Sequence, residues 1–212
     1  MRMRKKPYQE EVLTTRDDLI VVSPEKNLGQ WHKIFNLSEL HLEIGSGKGD
    51  YFRNMATQYP NIGWIAVEKN KNIAAIAIKN TPVNSLINAK FIVADAQIVD
   101  QWFDVGELNA IHLNFSDPWP KKSHSKRRLT NNKFLESYHK ILAEDGLVIM
   151  KTDNKDLFDY SIESFKDSPL FEEQSLDFDF RKNSHPEDVI TEYEKKFMIL
   201  KQPIYRGIWR RV

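Results

Sequence analysis

The sequence predicts an α/β protein with a doubly wound sheet that helices cover on both faces. Short apolar runs of strand length alternate along the chain with longer amphipathic runs of helix length. A glycine-rich turn, Gly45-Ser-Gly-Lys-Gly49, follows the first such strand and precedes a helix. Because the 212 residues suffice for one α/β domain and are too few for two comfortable ones, we expect a single domain over residues 1–212.

The alternation of strands and helices continues to about residue 166 and weakens after it. Strands are expected at 41–44, 62–67, 91–94, 110–115 and 147–150, and helices at 51–59, 70–79, 98–103, 131–142 and 154–166. Strand-like pieces follow at 176–180, 197–200 and 204–209. Asp50 is the expected N-cap of the first helix, and Trp64 and His112 are expected in the core. Residues 1–20 have little periodic pattern and are expected to form a basic, polar arm.

The composition excludes several classes of function. Cysteine is absent, which removes disulfides, thiolate metal sites and cysteine nucleophiles and fits a reducing compartment. The six histidines stand singly without ligand spacing, so no metal site is expected. No apolar run reaches membrane-spanning length, and the N-terminus lacks an apolar signal-peptide core. We therefore expect a cytoplasmic protein without a membrane partner.

The net charge of +1 conceals a segregation of charge. Residues 1–6, 121–128 and 206–212 hold four, five and three basic residues and no acid, while the rest of the chain carries 19 basic and 30 acidic residues. Each terminal cluster alone is typical of a solvated surface. If the three clusters meet in space, a phosphate backbone is the natural partner of an otherwise acidic protein.

The central basic cluster follows an unusual strand end. Apolar and polar residues alternate over 111–115 as in a buried strand, and Ser116-Asp-Pro-Trp-Pro120 stops it, because neither proline can donate a backbone hydrogen bond. Asp117 precedes a proline and is therefore pushed toward an extended conformation. A carboxylate on a stiff turn, an exposed Trp119 and a cationic loop predict a site that acts on a polyanion. Trp119 either stacks on a base or packs beneath the loop.

Five successive strands end in or beside an acidic residue: Glu43, Glu68, Asp95, Asp117 and Asp153. In an open α/β sheet the carboxyl ends of the strands form the ligand crevice, so we expect these acids to share one site.

The glycine turn indicates which ligand this crevice would bind. A dinucleotide-binding turn needs a third small residue at position 50, where Asp50 stands, and Glu43 would repel a pyrophosphate. The turn therefore favours a neutral or cationic nucleoside, and S-adenosylmethionine is the common nucleoside that carries a sulfonium cation. In such a site Glu68 is suited to the ribose hydroxyls and Asp95 to the adenine amino group.

The sequence resembles the bacterial tRNA (guanine-N7-)-methyltransferase family over nearly its whole length. The matching segments are HLEIGSGKG (41–49), VEKN (67–70), ADA (94–96), LNFSDPWPKKSHSKRRLT (113–130), MKTDN (150–154), TEYEKKF (191–197) and IYR (204–206). Met150 stands where the family has Phe, and residues 177–186 follow none of its motifs. The resemblance implies a class I S-adenosylmethionine-dependent methyltransferase with a Rossmann-like doubly wound sheet. It also implies S-adenosyl-L-methionine as the donor and a guanosine in the variable loop of tRNA, at position 46, as the acceptor.

Carried over motif by motif, the resemblance implies three sets of site residues. The cofactor set is Glu43, Gly45, Gly47, Glu68, Asp95 and Asp117, and Asp117 is also the catalytic residue. The substrate set is Lys121, Asp153, Thr191, Glu192, Tyr193 and Glu194. The RNA set is Ser123, His124, Ser125, Lys126, Arg127 and Arg128. Without the resemblance, Thr191 and Glu194 are typical of an ordinary helix start, as the two halves of a capping box.

Methylation at guanine N7 places modest demands on the protein. N7 has an in-plane lone pair and no proton, so the reaction needs alignment and electrostatics and no general base. Methylation at pyrimidine C5 would need a cysteine, which the chain lacks. A carboxylate on the N1/N2 edge of guanine favours the cationic product, and Asp117 and Glu194 are both candidates for it.

Two other functions fit parts of the sequence. Asp117-Pro-Trp-Pro120 loosely resembles the motif of amino-directed nucleic-acid methyltransferases, with the order of Pro and Trp inverted. A non-catalytic RNA-binding module on a degenerate Rossmann frame is the other alternative, against which the retention of every strand-end acid speaks.

Overall fold

The computed structural model describes residues 7–212. The chain forms two compact units, Met1–Phe103 and Asp104–Val212. The expectation of a single domain over residues 1–212 stays a prediction. The four basic residues that begin the expected N-terminal arm, within positions 1–6, lie outside the described residues.

The first unit is built around parallel strands in the order β1-β4-β3-β2. Its strands are β1 Ile20–Val21, β2 Leu40–Ile44, β3 Gly63–Val67 and β4 Ala89–Ile92. Its helices are α1 Gln9–Thr15, α2 Trp31–Phe35, α3 Asp50–Gln58 and α4 Lys71–Lys79, with 3-10 helices at Pro24–Asn27 and Ala96–Gln101. β3 is buried along its whole length, and Trp64 within it lies in the core as expected.

The expected polar arm is wrong for its described part. Residues 9–15 form α1, and β1 pairs with β4. The buried side chain of Arg16 holds this segment, because its Nη1 donates to the carbonyls of Ile78 and Thr81, both at 2.8 Å, and its Nε donates to Asp18 at 2.8 Å. Ile78 and Thr81 are far from Arg16 in the sequence, so the pattern of residues around Arg16 does not predict these contacts.

The start of α3 also differs from the expectation. Gly49, with a left-handed φ of 72°, is the N-cap, and Asp50 is the first helical residue. A Cβ on Gly49 would stand 3.0 Å from the Cβ of Ala77, so both the backbone conformation and the close approach of α4 require glycine. Asp50 still favours the helix, because a carboxylate in the first turn interacts well with the helix dipole.

The second unit has strands in the order β5-β6-β8-β7. Its strands are β5 Leu108–Asn114, β6 Leu142–Thr152, β7 Phe171–Asp177 and β8 Tyr205–Arg211. Its helices are α5 Asn132–Ile141, α6 Lys155–Lys166 and α7 Glu192–Ile199, with 3-10 helices at Lys122–Arg127 and Phe180–Lys182. β5 and β6 are parallel, and β8 is antiparallel to β6 and β7.

The tail of the chain was the least accurate part of the prediction. Residues 197–199, expected as a strand, are the end of α7, because a short apolar run fits either structure and the capping box at Thr191 decides for the helix. β7 begins at Phe171, five residues before the expected strand. His112 is 3 % exposed on β5, as expected of a core residue.

Candidate functional site

The glycine turn after β2 leaves its backbone uncovered. Gly45 and Gly47 have left-handed φ values of 78° and 56°, and no atom lies within 4 Å of the place where a Cβ would stand on either residue. The N–H groups of Gly45 and Ser46 donate to the carbonyl of Val67 at 2.8 and 3.0 Å. The turn is thus fixed to the end of β3 while its open side allows a ligand to approach the backbone closely.

Glu68 holds the same turn from the end of β3. Its side chain is buried; Oε2 accepts a hydrogen bond from the N–H of Gly47 at 3.2 Å and Oε1 accepts one from the N–H of Asn70 at 2.7 Å. Asn70 is the N-cap of α4 and accepts from the N–H of Asn72. Glu68 therefore places a carboxylate beside the uncovered turn and fixes the turn relative to α4.

The other two strand-end acids of the first unit, Glu43 and Asp95, differ in exposure. Glu43 lies within β2 and is 2 % exposed. Asp95 follows β4, is exposed, and caps the next 3-10 helix by accepting from the N–H of Gln97 at 3.1 Å. Buried carboxylates beside an uncovered glycine turn fit a cationic nucleoside such as S-adenosylmethionine and disfavour a pyrophosphate.

In the second unit, Asp117 lies on a strained turn. Phe115 and Trp119, on either side of it, have φ values of 51° and 43°, a conformation that bulky side chains rarely adopt. Each such residue costs about 1–3 kcal/mol, and strain of this kind concentrates at functional sites. Asp117 itself is exposed. The expectation of a stiff turn that presents a carboxylate agrees with this geometry.

Tyr193 packs against the turn that carries Asp117. Its ring lies 4.8 Å from the ring of Phe115. Burial raises the pKa of Tyr193, and the negative charges of Asp153 and Asp117 raise it further. Burial also raises the pKa of Asp153, which directly follows β6. Asp117 and Asp153 therefore both lie close enough to Tyr193 for their charges to act on it.

Thr191 and Glu194 form the capping box expected of a helix start. The N–H of Glu194 donates to Thr191 Oγ1 at 3.1 Å, and the N–H of Thr191 donates to Glu194 Oε2 at 2.9 Å. Glu194 is completely buried, whereas Glu192 and Tyr193 between the two are exposed.

The second oxygen of Glu194 belongs to a buried ion cluster of Lys151, Arg181, Asp188 and Glu194. Lys151 Nζ donates to Asp188 at 2.6 Å and to Glu194 Oε1 at 3.3 Å, and Arg181 also binds both carboxylates. The side chains are at most 7 % exposed. Two cations and two anions balance, which is what allows charges to be buried together.

The basic loop after the turn is largely exposed. It contains a 3-10 helix at Lys122–Arg127. Its exposed members are Lys121, Lys122, Ser123, Lys126 and Arg127, and His124, Ser125 and Arg128 are half-buried.

Trp119 packs against this loop. The Arg127 guanidinium lies 4.8 Å above its ring, and His124 meets it edge-on at 5.7 Å. Trp119 is half-buried, so the expectation of an exposed side chain is wrong. These contacts favour packing beneath the loop, and stacking on a base stays a prediction.

The sequence did not indicate several residues that form the buried ion cluster and the Asp117 turn. Arg181 and Asp188 stand in or beside the 177–186 stretch that has no motif, so the only local signal of the ion cluster was Lys151, a cation at the end of an apolar strand. The left-handed Phe115 and Trp119 gave no signal, because local preference opposes that conformation.

Membrane-spanning helices and metal clusters are both absent from residues 7–212. No helix in that range is long and apolar enough to cross a bilayer. Over the same residues, no group of three or more His, Asp or Glu side chains is placed to hold a metal ion.

The fold is that of class I S-adenosylmethionine-dependent methyltransferases, of the Rossmann-like α/β type. The crystal structure of the 16S rRNA methyltransferase KamB resembles this structure with a TM-score of 0.62 at 12 % identity, over 86 % of this chain and 91 % of that one. A family model described as "Putative methyltransferase" matches residues 38–207. These matches confirm the predicted fold class.

Curated relatives narrow the class to a family. The tRNA (guanine-N(7)-)-methyltransferase of Bacillus velezensis is 40 % identical over 98 % of this chain and 95 % of its own length. The protein of the same name from Oceanobacillus iheyensis is 41 % identical over 97 % of both chains. The chain belongs to the tRNA (guanine-N7-)-methyltransferase family, as its motifs predicted.

Proposed function

We propose that this protein transfers the methyl group of S-adenosylmethionine to N7 of a guanosine in the variable loop of tRNA, in the cytoplasm. The observation that carries the proposal is the position of Asp117. It is exposed, stands on a strained turn at the end of β5, and is followed at once by a basic loop. Relatives that cover nearly the whole chain carry the name of this activity.

The first unit supplies the residues proposed to bind the cofactor. Gly45 and Gly47 offer uncovered backbone, and Glu68 and Asp95 offer carboxylates for hydroxyl and amino groups. Glu43, buried in β2, adds negative charge that favours a cation. The bound cofactor would supply an electrophilic methyl group, and these residues bind and orient it.

Asp117 is the better of the two carboxylates proposed for the guanine edge. Glu194 is completely buried, and its charge is already paired with Lys151 and Arg181 inside the protein. Asp117 is exposed, and its charge acts on Tyr193. As N7 gains a methyl group the ring becomes cationic, so its N1 and N2 donors strengthen and a carboxylate there stabilises the transition state. The role proposed for Thr191 and Glu194 is therefore to present Glu192 and Tyr193 to the substrate.

The basic loop is proposed to bind the tRNA backbone. Lys121, Lys122, Lys126 and Arg127 are exposed cations on one short segment next to Asp117. Cations so placed neutralise phosphates and orient the nucleic acid without reading its sequence. Lys121, four residues from Asp117, is the one proposed to reach the target nucleotide, with Ser123, His124 and Ser125 beside it.

The experiment that tests the proposal maps the methylated atom. Purified protein is incubated with unmodified tRNA and labelled S-adenosylmethionine, and the nucleosides and RNase fragments are analysed by mass spectrometry. We expect 7-methylguanosine in the variable-loop fragment. A label on an exocyclic amino group would replace this proposal with an amino-directed methyltransferase. Binding of tRNA without any transfer would indicate an RNA-binding module instead.

A further inference from the structure

Arg128 differs from the other basic residues of the loop. It is half-buried, and its guanidinium turns back toward the start of the loop. Nε donates to the carbonyl of Pro118 at 3.0 Å, and Nη2 donates to the carbonyl of Trp119 at 3.1 Å. One planar side chain thus binds two successive carbonyls, the first two after Asp117.

The position of Arg128 is itself fixed from three sides. Its guanidinium lies 4.2 Å above the ring of Tyr160 on α6. Its N–H donates to the carbonyl of Ser125 at 3.0 Å. Its carbonyl accepts a hydrogen bond from Asn131 Nδ2 at 2.6 Å, and Asn131 is the N-cap of α5. The arginine therefore ties the turn to two helices of the second unit.

The composition of the turn limits the hydrogen bonds that hold its backbone. Pro118 and Pro120 have no N–H to donate, and Phe115 and Trp119 are held in left-handed conformations that favour relaxation. A rigid guanidinium fork binds the carbonyls of Pro118 and Trp119 at once. A lysine has a single compact ammonium and no aromatic-stacking plane, so it cannot replace that geometry.

We propose that Arg128 is a positioning residue that holds the Asp117 turn in its strained conformation, and that it is not a phosphate contact. This departs from the expectation that Arg128 belongs to the RNA set with Lys126 and Arg127. The inference rests on the proposed function of Asp117, because a fixed turn matters for catalysis only if the carboxylate it carries meets the substrate.

Substitutions that keep or remove the charge separate the two roles. Methyl transfer to tRNA is measured for wild type, Arg128→Lys, Arg128→Ala and Lys126→Ala, which removes an exposed cation of the same loop, together with tRNA affinity at several salt concentrations. Both Arg128 variants are expected to lose kcat by on the order of 10- to 100-fold, as a misplaced catalytic group does. Their KM for tRNA and their salt dependence should stay at wild-type values. Lys126→Ala should instead raise KM and flatten the salt dependence.

A second pair of variants tests the support beneath the guanidinium. Tyr160→Ala removes the ring and should lower kcat as Arg128→Lys does, whereas Tyr160→Phe keeps the ring and should retain the rate. Thermal unfolding is followed for every variant. If Arg128→Ala melts below the assay temperature, the decision rests on Arg128→Lys and Tyr160→Ala, which remove less of the structure.

Each outcome decides between the alternatives. Full activity of Arg128→Lys, or a loss that lies in KM and salt dependence alone, would make Arg128 a phosphate contact and overturn the proposal. Loss of kcat in Arg128→Lys at unchanged tRNA affinity supports it. If the wild-type protein leaves guanine N7 unmethylated, the proposed function is refuted. That result is distinct from a failure of the Arg128 proposal, which is judged by the differences among the variants.

Discussion

Arg181 binds the buried carboxylate of Glu194 through two donors, with Nε at 2.9 Å and Nη2 at 2.7 Å from Oε1. The other oxygen, Oε2, accepts the N–H of Thr191 and completes the capping box of α7. The conformation of Glu194 is thus fixed by the start of its own helix and by an arginine from the 3-10 helix at Phe180–Lys182. This pairing connects a segment without recognisable motif to the segment that presents Tyr193.

Replacing Arg181 should destabilise the protein strongly. Arg181→Met leaves two buried carboxylates with Lys151 as their only cation within the cluster, and breaking a buried pair costs about 3–5 kcal/mol. The free energy of unfolding in urea measures this destabilisation. The double variant Arg181→Met/Asp188→Asn removes one charge of each sign, so it should recover part of the stability. Surface ion pairs contribute less than about 1 kcal/mol. A decrease that small in the free energy of unfolding of Arg181→Met would contradict this account.

The pairing of Arg16 with Asp18 should make stability depend on pH. The hydrogen bond from Arg16 lowers the pKa of Asp18 from 3.8 to about 2. A lowered pKa means that the carboxylate stabilises the fold above pH 3.8 and that this contribution is lost as pH falls toward about 2. Asp18→Asn should lower the free energy of unfolding by about 1–2 kcal/mol near neutral pH, because solvent screens part of the interaction, and by less near pH 3. Urea unfolding at both pH values checks this; an equal destabilisation at each would exclude the pairing as its cause.

The sequence identified the groups that act locally and missed those that meet over long distances. Glu68 and the glycine turn were found because strand, turn and helix follow one another, and their bonds lie where strand ends predict them. The capping box of Glu194 was visible as a four-residue motif, but its burial was not. That burial depends on Arg181 and Asp188, whose positions no periodicity specifies. The accessible carboxylate of Asp117 and the buried one of Glu194 therefore looked equivalent until the structure separated them.

Glu68→Ala should weaken cofactor binding. Loss of a charged acceptor costs about 1–3 kcal/mol, and the turn at Gly47 loses the bond that holds it. Calorimetry with S-adenosylmethionine measures the affinity. Glu39→Ala, at an exposed acid before β2, serves as the matched control and should bind as wild type does. Wild-type affinity in Glu68→Ala would remove this residue from the cofactor site.

Asp117→Ala should abolish methyl transfer while the protein stays folded. The side chain is exposed, so its removal leaves no cavity and changes the melting temperature little. Single-turnover kinetics with saturating tRNA and cofactor measure the chemical step. A rate within a few-fold of wild type would show that Asp117 is not the catalytic residue. Asp153, the other carboxylate whose charge acts on Tyr193, would then be the next residue to test.

Removing the exposed cations of the basic loop should reduce the salt dependence of tRNA binding. Lys126 and Arg127 are exposed, and none of the residues from 121 to 128 is acidic, so the loop itself offers no anion to neutralise their charges. In Lys126→Ala/Arg127→Ala the slope of log affinity against log salt should fall by about 0.7–0.9 for each phosphate that the loop no longer neutralises. The control Lys33→Ala/Lys166→Ala removes the same charge from exposed positions on α2 and α6 and should keep the wild-type slope. Titrations with tRNA at several salt concentrations compare the three proteins. If Lys126 and Arg127 are only part of a solvated surface, all three lines will be parallel, and these two residues will have no part in binding tRNA.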